Sequence, residues 1–222
     1  KQMQERVLTS TEEELNRSKM EILSGLMRLR QICDTPALFM EDYHGESGKL
    51  ESLLELLEQI QTGSHRVLIF SQFRGMLDII EKELKKMKME AFKITGSTPA
   101  KERQEMTNAF NNGEGDAFLI SLKAGGVGLN LTGADTVILV DLWWNPAVES
   151  QAIGRAHRMG QERNVEVYRL ITRGTIEEKI QELQESKRHL VSTILDGTES
   201  RSSLTVAEIR EILGISTETL EK

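Results

Sequence analysis

Arg66-Val67-Leu68-Ile69-Phe70-Ser71-Gln72-Phe73 sets four consecutive apolar residues between a charged residue and a polar turn. A run that short, without polar alternation, reads as a strand covered on both faces, the condition of strands in a parallel sheet flanked by helices. Residues 76–87, just beyond it, carry helical periodicity. Further out, 91–94, 117–121, 136–140 and 165–171 are strand candidates, and 100–111, 147–157 and 176–195 are helix candidates. The expected fold class is α/β, a parallel sheet of five or six strands with helices on both faces.

Upstream, Leu15, Ile22, Leu26, Leu29 and Ile32 recur at spacings of three, four and seven, the stripe of an amphipathic helix ending near Asp34-Thr35-Pro36. Lys1-Gln2-Met3-Gln4-Glu5 reads as a helix already under way with no initiator Met, so the chain is expected to be a fragment. After the turn at 45–48, Leu50, Leu53, Leu54, Leu57 and Ile60 form the apolar face of a second helix, with Glu51, Glu55 and Glu58 on the other. At the far end, 196–203 reads as a polar linker and 204–213 as a short peripheral helix. The expected division is a helical protrusion over 1–47, the α/β domain over 48–195, and a linker with a short helix over 196–222.

With 28 Lys and Arg against 35 Asp and Glu, the 222 residues carry a net charge of −7, which excludes a uniformly basic nucleic-acid coat. The charge is uneven, because 66–110 and 151–190 are each net positive while the rest is acidic. Hydrophobic residues at 38% and three prolines are the composition of a globular chain. A single cysteine, Cys33, can form neither an internal disulfide nor a structural zinc site, and no apolar run approaches the roughly 20 residues that cross a bilayer. A soluble protein of a reducing intracellular compartment is expected.

Ligands of open α/β sheets bind beyond the carboxyl ends of the strands, so the loops there carry the functional reading. Ser71-Gln72-Phe73 follows the first strand and taken alone suits a turn or helix cap. Residues 121–133, Ser-Leu-Lys-Ala-Gly-Gly-Val-Gly-Leu-Asn-Leu-Thr-Gly, are glycine-rich but do not open a helix, so a dinucleotide fingerprint is excluded, and a flexible turn and a phosphate or nucleic-acid contact both remain open. Within 151–161, Gln-Ala-Ile-Gly-Arg-Ala-His-Arg-Met-Gly-Gln, the residues Gln151, Gly154, Arg155 and Arg158 would share one face of a helix. That face holds two guanidinium forks suited to phosphate oxygens, and a mid-helix glycine that costs about 1 kcal/mol and needs a reason. Before it, Asp141-Leu142-Trp143-Trp144-Asn145-Pro146 holds both tryptophans. Adjacent residues cannot both face one core, so at least one indole is expected at a surface or partner interface, where it could serve as a platform against nucleic acid.

In this order the segments resemble the second, C-terminal RecA-like lobe of superfamily-two helicases, and specifically the Swi/Snf type of ATP-dependent double-stranded DNA translocase and chromatin remodeller. Residues 66–73 look like the family's motif IV, 121–135 like motif V and 151–161 like motif VI. Further matching signatures are Leu29-Arg30-Gln31-Ile32-Cys33-Asp34-Thr35-Pro36, Gly48-Lys49-Leu50, Thr95-Gly96-Ser97-Thr98 with Arg103, Trp143-Trp144-Asn145-Pro146 and Gly174-Thr175-Ile176-Glu177-Glu178-Lys179-Ile180. The resemblance implies that Arg155 and Arg158 are arginine fingers reaching the phosphates of ATP, that Gln151 positions the attacking water or a phosphate oxygen, and that Gly128, Asn130 and Gly154 approach the nucleotide. It further implies that Ser71, Gln72, Gly96, Ser97, Thr98, Lys123 and Trp144 lie along duplex DNA, with Arg103 supporting the Gly96 loop. The partners it implies are double-stranded DNA, an N-terminal RecA-like lobe of the same polypeptide, and a DNA-bound protein as remodelling target.

A G-x-x-x-x-G-K-[ST] loop is absent, since Gly48-Lys49 has Tyr43 at the required upstream position and Leu50 after it. No acidic box is present either, because Leu38-Phe39-Met40-Glu41-Asp42 only imitates one directly after Pro36. Most of the ATP site and the Mg²⁺ ligands are therefore expected in the N-terminal lobe, and this chain alone is expected to be inactive, in a bacterial cytoplasm or a nucleus. The alternatives are the second lobe of an RNA helicase of the same superfamily, and a non-catalytic scaffold that binds a partner through its leucine-rich helices.

Overall fold

The computed structural model describes residues 12–40, 42–122, 129–156, 164–193 and 205–213. Helix α1 (Glu12–Asp34) is followed by a 3-10 turn (Pro36–Leu38) and α2 (Gly48–Thr62). Then come β1 (Val67–Ser71), α3 (Arg74–Lys86), β2 (Ala91–Ile94), α4 (Ala100–Asn111), β3 (Ala117–Ser121), β4 (Thr136–Leu139), α5 (Pro146–Ile153), β5 (Glu166–Arg169), α6 (Ile176–Thr193) and α7 (Val206–Ile212). The strands form one sheet of order β2-β3-β1-β4-β5, every pairing parallel.

Alternate residues of the central strands feed opposite faces. Val67, Ile69, Leu119 and Ile138 pack with Leu53 and Leu57 of α2 and Met76, Leu77 and Ile80 of α3. Leu68, Phe70, Phe118, Ile120, Val137 and Leu139 pack on the other side with Phe110 of α4 and Ala152 of α5. Burial on both faces is the reason the strands read as unbroken apolar runs. A third cluster joins Ile22 and Leu26 of α1, Ile180 and Leu183 of α6, and Ile209 and Ile212 of α7 to Leu142.

Three expectations change. The α1 stripe runs Ile22, Leu26, Arg30: Arg30 is fully buried, whereas Ile32 is 42% exposed. Strand β5 covers only Glu166–Arg169 and lies at the sheet edge, largely exposed. Helix α5 ends at Ile153, with Gly154 as its C-cap, and the next amides turn tighter, Arg155 N–H to Ala152 O at 3.2 Å and Ala156 N–H to Ile153 O at 3.2 Å. Gly154 is therefore a helix-end residue whose glycine needs no mid-helix explanation; a Cβ there would stand 3.2 Å from Ser150 O.

Candidate functional site

Because all five strands run parallel, their carboxyl ends share one edge, and each loop leaving that edge carries one of the segments singled out above. After β2, Thr95 and Thr98 close a tight turn: Thr98 Oγ1 accepts the Thr95 N–H at 3.0 Å, and the Thr98 N–H donates to Thr95 O at 3.2 Å. Arg103 on α4 holds that turn from inside, its Nε donating to Thr98 O at 2.7 Å and its Nη2 to Thr95 O at 3.2 Å and Gly96 O at 3.1 Å. The carbonyls are drawn inward, and Gly96 and Ser97 face solvent. Helices α3 and α4 both start at this edge, after Phe73 and Pro99, and neither residue caps its helix with a side-chain hydrogen bond. The result is two helix amino termini, with their partial positive charge, beside exposed Arg74 and Lys101.

Ser71 and Gln72, expected along DNA, are buried instead, and their polar atoms turn inward. Both donate to Asp141, Ser71 Oγ to Oδ2 and Gln72 Nε2 to Oδ1 at 2.6 Å, and Gln72 Oε1 accepts Arg30 Nη1 at 2.8 Å. The Arg30 guanidinium lies 3.7 Å from Asp141, donates to Leu142 O and stacks 4.5 Å from the Trp144 ring centre. Next to this group Lys49 Nζ donates to Asp34 Oδ1 at 2.8 Å, Glu177 Oε1 at 2.5 Å and Val140 O at 3.0 Å. The family signatures around Arg30, Asp34, Lys49 and Glu177 thus converge on one buried cluster of two cations and three carboxylates that ties α1, α2 and α6 to the ends of β1 and β4. Sequence reasoning assigned these residues no role. One signal was legible: Arg30 stands four residues after Leu26, a charged residue on an apolar stripe.

Burial, reinforced by Asp141 and Glu177, pushes the Asp34 carboxyl well above the usual carboxylate range, against the pull of Lys49. Burial alone would lower the Lys49 ammonium, but Asp34 and Glu177 outweigh it and raise it. A carboxyl whose folded-state value is raised contributes stability that is complete below its unfolded value, near 4, and is lost as pH climbs through the folded value. Asp34→Asn keeps an acceptor for Lys49 and removes that loss. Its melting temperature relative to the parent chain should therefore rise from pH 5 to pH 8; a constant difference would mean that Asp34 is ionised throughout.

The two tryptophans face different cores. Trp143 packs against the cluster under α4 and α5, and Trp144 against the α1, α6 and α7 cluster, so both are half-buried. Neither stands out as an open platform. Asn145 caps α5 by accepting the Ala147 N–H at 2.9 Å. On that helix Gln151 is exposed, whereas Arg155 beyond it is 5% exposed with Nη1 3.4 Å from Leu129 O. Arg155 O also accepts the Leu131 N–H at 3.0 Å, so the end of the α5 segment is stitched to the residues after the glycine-rich loop. Gln151 and Arg155 consequently do not share one exposed face. Exposed Asn130 borders a cleft of about 280 Å³ with Arg103, Gln104, Thr107, Asn108 and Asn111, and Asn111 Nδ2 donates to Asn130 O at 2.8 Å. Lys123, Gly128 and Arg158 lie outside the described residues.

Glu149, which the sequence reading passed over, is fully buried on α5 and accepts hydrogen bonds from three elements. An acid in a first helical turn is so ordinary a preference that nothing marks this one out. Among the described residues, no group of three or more His, Cys, Asp or Glu is placed to hold a metal ion, and no helix is long and apolar enough to cross a membrane.

A family model for the helicase conserved C-terminal domain matches residues 48–160. The mouse SWI/SNF-related matrix-associated actin-dependent regulator of chromatin subfamily A member 1 is 44% identical over 190 residues, 80% of this chain and 18% of its own length. Among solved structures, the Sulfolobus solfataricus SWI2/SNF2 ATPase C-terminal domain superposes with a TM-score of 0.68 at 35% identity, covering 90% of this chain and 84% of that one. The ATPase core of the same organism in complex with double-stranded DNA gives a TM-score of 0.74 at 34% identity over 99% of this chain and 44% of that one. The five-stranded parallel sheet with its helices is the RecA-like lobe of those neighbours. The chain spans between 8% and 22% of the lengths of the curated relatives it matches.

Proposed function

The chain belongs to the helicase C-terminal domain family, in its Swi2/Snf2 branch, and we propose that it works as the second lobe of a DNA-dependent ATPase motor. In this reading it grips the backbone of duplex DNA at the carboxyl edge of its sheet and supplies side chains to ATP at an interface with an N-terminal lobe of the same polypeptide. The observation that carries the reading is the Thr95–Thr98 turn, held by Arg103 so that Gly96 and Ser97 face outward at the same edge as two side-chain-uncapped helix amino termini. Backbone N–H groups and small hydroxyls in that setting suit phosphate oxygens and are blind to base identity, which is what a motor moving along any sequence requires. Lys123, in the glycine-rich segment, would add a further cation. Ser71, Gln72 and Trp144 act from behind the edge, bracing it through Asp141 and Arg30.

Toward the nucleotide, Arg158 and Arg155 would stabilise charge on the transferring phosphoryl group, and Gln151 would orient the attacking water. Gly128, Asn130 and Gly154 would line the approach. ATP supplies the phosphoryl group whose transfer drives closing and opening of the lobes. The described residues fit only this part of its site. The buried carboxylates Asp34, Asp141 and Glu177 are already engaged by Lys49, Arg30 and Gln72, so the metal's ligands belong elsewhere in the full-length protein. Cargo would be a protein bound to DNA, in a bacterial cytoplasm or a nucleus.

ATP turnover by the full-length protein tests the reading. Duplex DNA should raise kcat at least about tenfold, an effect of roughly 1.4 kcal/mol on the barrier, whereas duplex RNA and the isolated chain should give none. Equal stimulation by RNA would move the lobe to an RNA helicase. A protein that turns over no ATP with any nucleic acid would make it a scaffold.

A further inference from the structure

Helix α5 carries Gln151 and leads into Arg155, and its apolar contact with the sheet is small, with Ala152 buried and Val148 and Ile153 partly buried. Beside Ala152, the residue that it buries most completely is a charged one, Glu149. The Glu149 carboxylate adds directional hydrogen bonds to that modest apolar contact and so helps fix the rotation of α5. Oε1 accepts the Trp143 N–H at 3.1 Å and Gln184 Nε2 at 2.6 Å, while Oε2 accepts Arg169 Nε at 3.2 Å. Gln184, itself 1% exposed on α6, also donates to Trp143 O. One buried carboxylate thus connects α5, the double-tryptophan loop, the end of β5 and α6. The same loop is held from its other side by Arg30 and Gln72, both of which donate to Leu142 O, the latter at 3.3 Å.

We infer that Glu149 is a positioning residue of the motor, coupling the double-tryptophan loop at the DNA-facing edge to the helix that carries Gln151 and leads into Arg155. The inference rests on the motor reading above. A carboxylate held by three donors from three elements transmits a displacement of the loop to α5, because neither can shift without breaking bonds that the buried charge needs. A glutamine in its place would meet those donors with an NH₂ group on one side and lose at least one of them. An aspartate keeps the charge on a shorter stem.

The test uses Glu149→Gln, Glu149→Asp and, because a buried change can impair folding, Gln184→Met, which alters a residue assigned to neither nucleotide nor DNA. In the full-length protein well below its melting temperature, Glu149→Gln and Gln184→Met should each lower kcat at saturating duplex DNA at least about tenfold. KM for ATP and the half-saturating DNA concentration should stay within about twofold, and Glu149→Asp should recover part of the loss. In the 222-residue chain, whose tryptophans are only Trp143 and Trp144, Glu149→Gln should shift emission to longer wavelength as the loop loosens. Unchanged kcat, or loss of kcat, KM and DNA affinity together in both variants, overturns the coupling. Unchanged emission overturns the anchoring of the loop by Glu149. If the parent enzyme shows no stimulation by DNA, the motor reading itself has failed and the coupling with it, whereas a stimulated parent with normal variants removes the coupling alone.

Discussion

Arg158→Ala in the full-length protein is expected to lower ATP turnover by about 10³-fold or more while leaving ATP affinity within a few-fold. The asymmetry follows from when an arginine finger, the role proposed for Arg158, would act. Charge on the transferring phosphoryl oxygens grows in the transition state, so a guanidinium aimed at that position contributes little to ground-state binding and much to rate. Arg158→Lys should not restore the rate, because an ammonium lacks the planar fork that meets two phosphate oxygens at once. Arg155→Ala is the less clean experiment: Arg155 is buried against Leu129 and its segment is stitched to Leu131, so its loss should lower stability as well as turnover. Single-turnover kinetics beside equilibrium nucleotide binding separate the two effects. Parallel loss of affinity and rate in Arg158→Ala would make that residue structural.

Lys49→Met should destabilise the chain by about 3–5 kcal/mol, the cost of removing one partner from a buried ion pair. The Lys49 side chain is 2% exposed and its ammonium is shared by Asp34 and Glu177, whose side chains are wholly buried. Without it two carboxylates face each other, and Asp141 close by, with Arg30 as the remaining cation. Urea denaturation measures the loss, and a loss below about 1 kcal/mol would show that water replaces the ammonium. Adding Asp34→Asn should recover part of the stability, because it leaves one fewer buried acid without its cation. As buried ion clusters are weak contributors to net stability, the sign of this double variant also reports whether the group serves mainly to fix how α1 and α6 dock on the sheet.

Much of the architecture was legible. The run at 67–70 announced a buried strand, 117–121 a strand, and helix α4 spans its expected 100–111. The errors share one cause. The helical spacing of Arg155 and Arg158 extends α5 past Gly154, while the chain in fact tightens after Ile153 and the Arg155 carbonyl accepts from Leu131. Ile32 was placed on the buried stripe because it is apolar, and Arg30 left off it because it is charged, yet the pocket waiting for that helix contains Asp141, Gln72 and the Trp144 ring. Ser71 and Gln72 suit a turn, a cap, a phosphate or a buried carboxylate equally well, and nothing within 66–73 selects among them.

By itself the sequence determined the elements, their order, the parallel sheet and the family, since apolar periodicity and motif spacing are properties of a few neighbouring residues and survive without tertiary contact. Only the tertiary structure decided which polar side chains at that edge are exposed and which are buried against partners behind it. That choice depends on partners remote along the chain: Arg30 meets Leu142 across 112 residues, and Lys49 meets Glu177 across 128. A buried polar group must find its hydrogen-bonding partner wherever the fold brings one, and no local pattern encodes the distance.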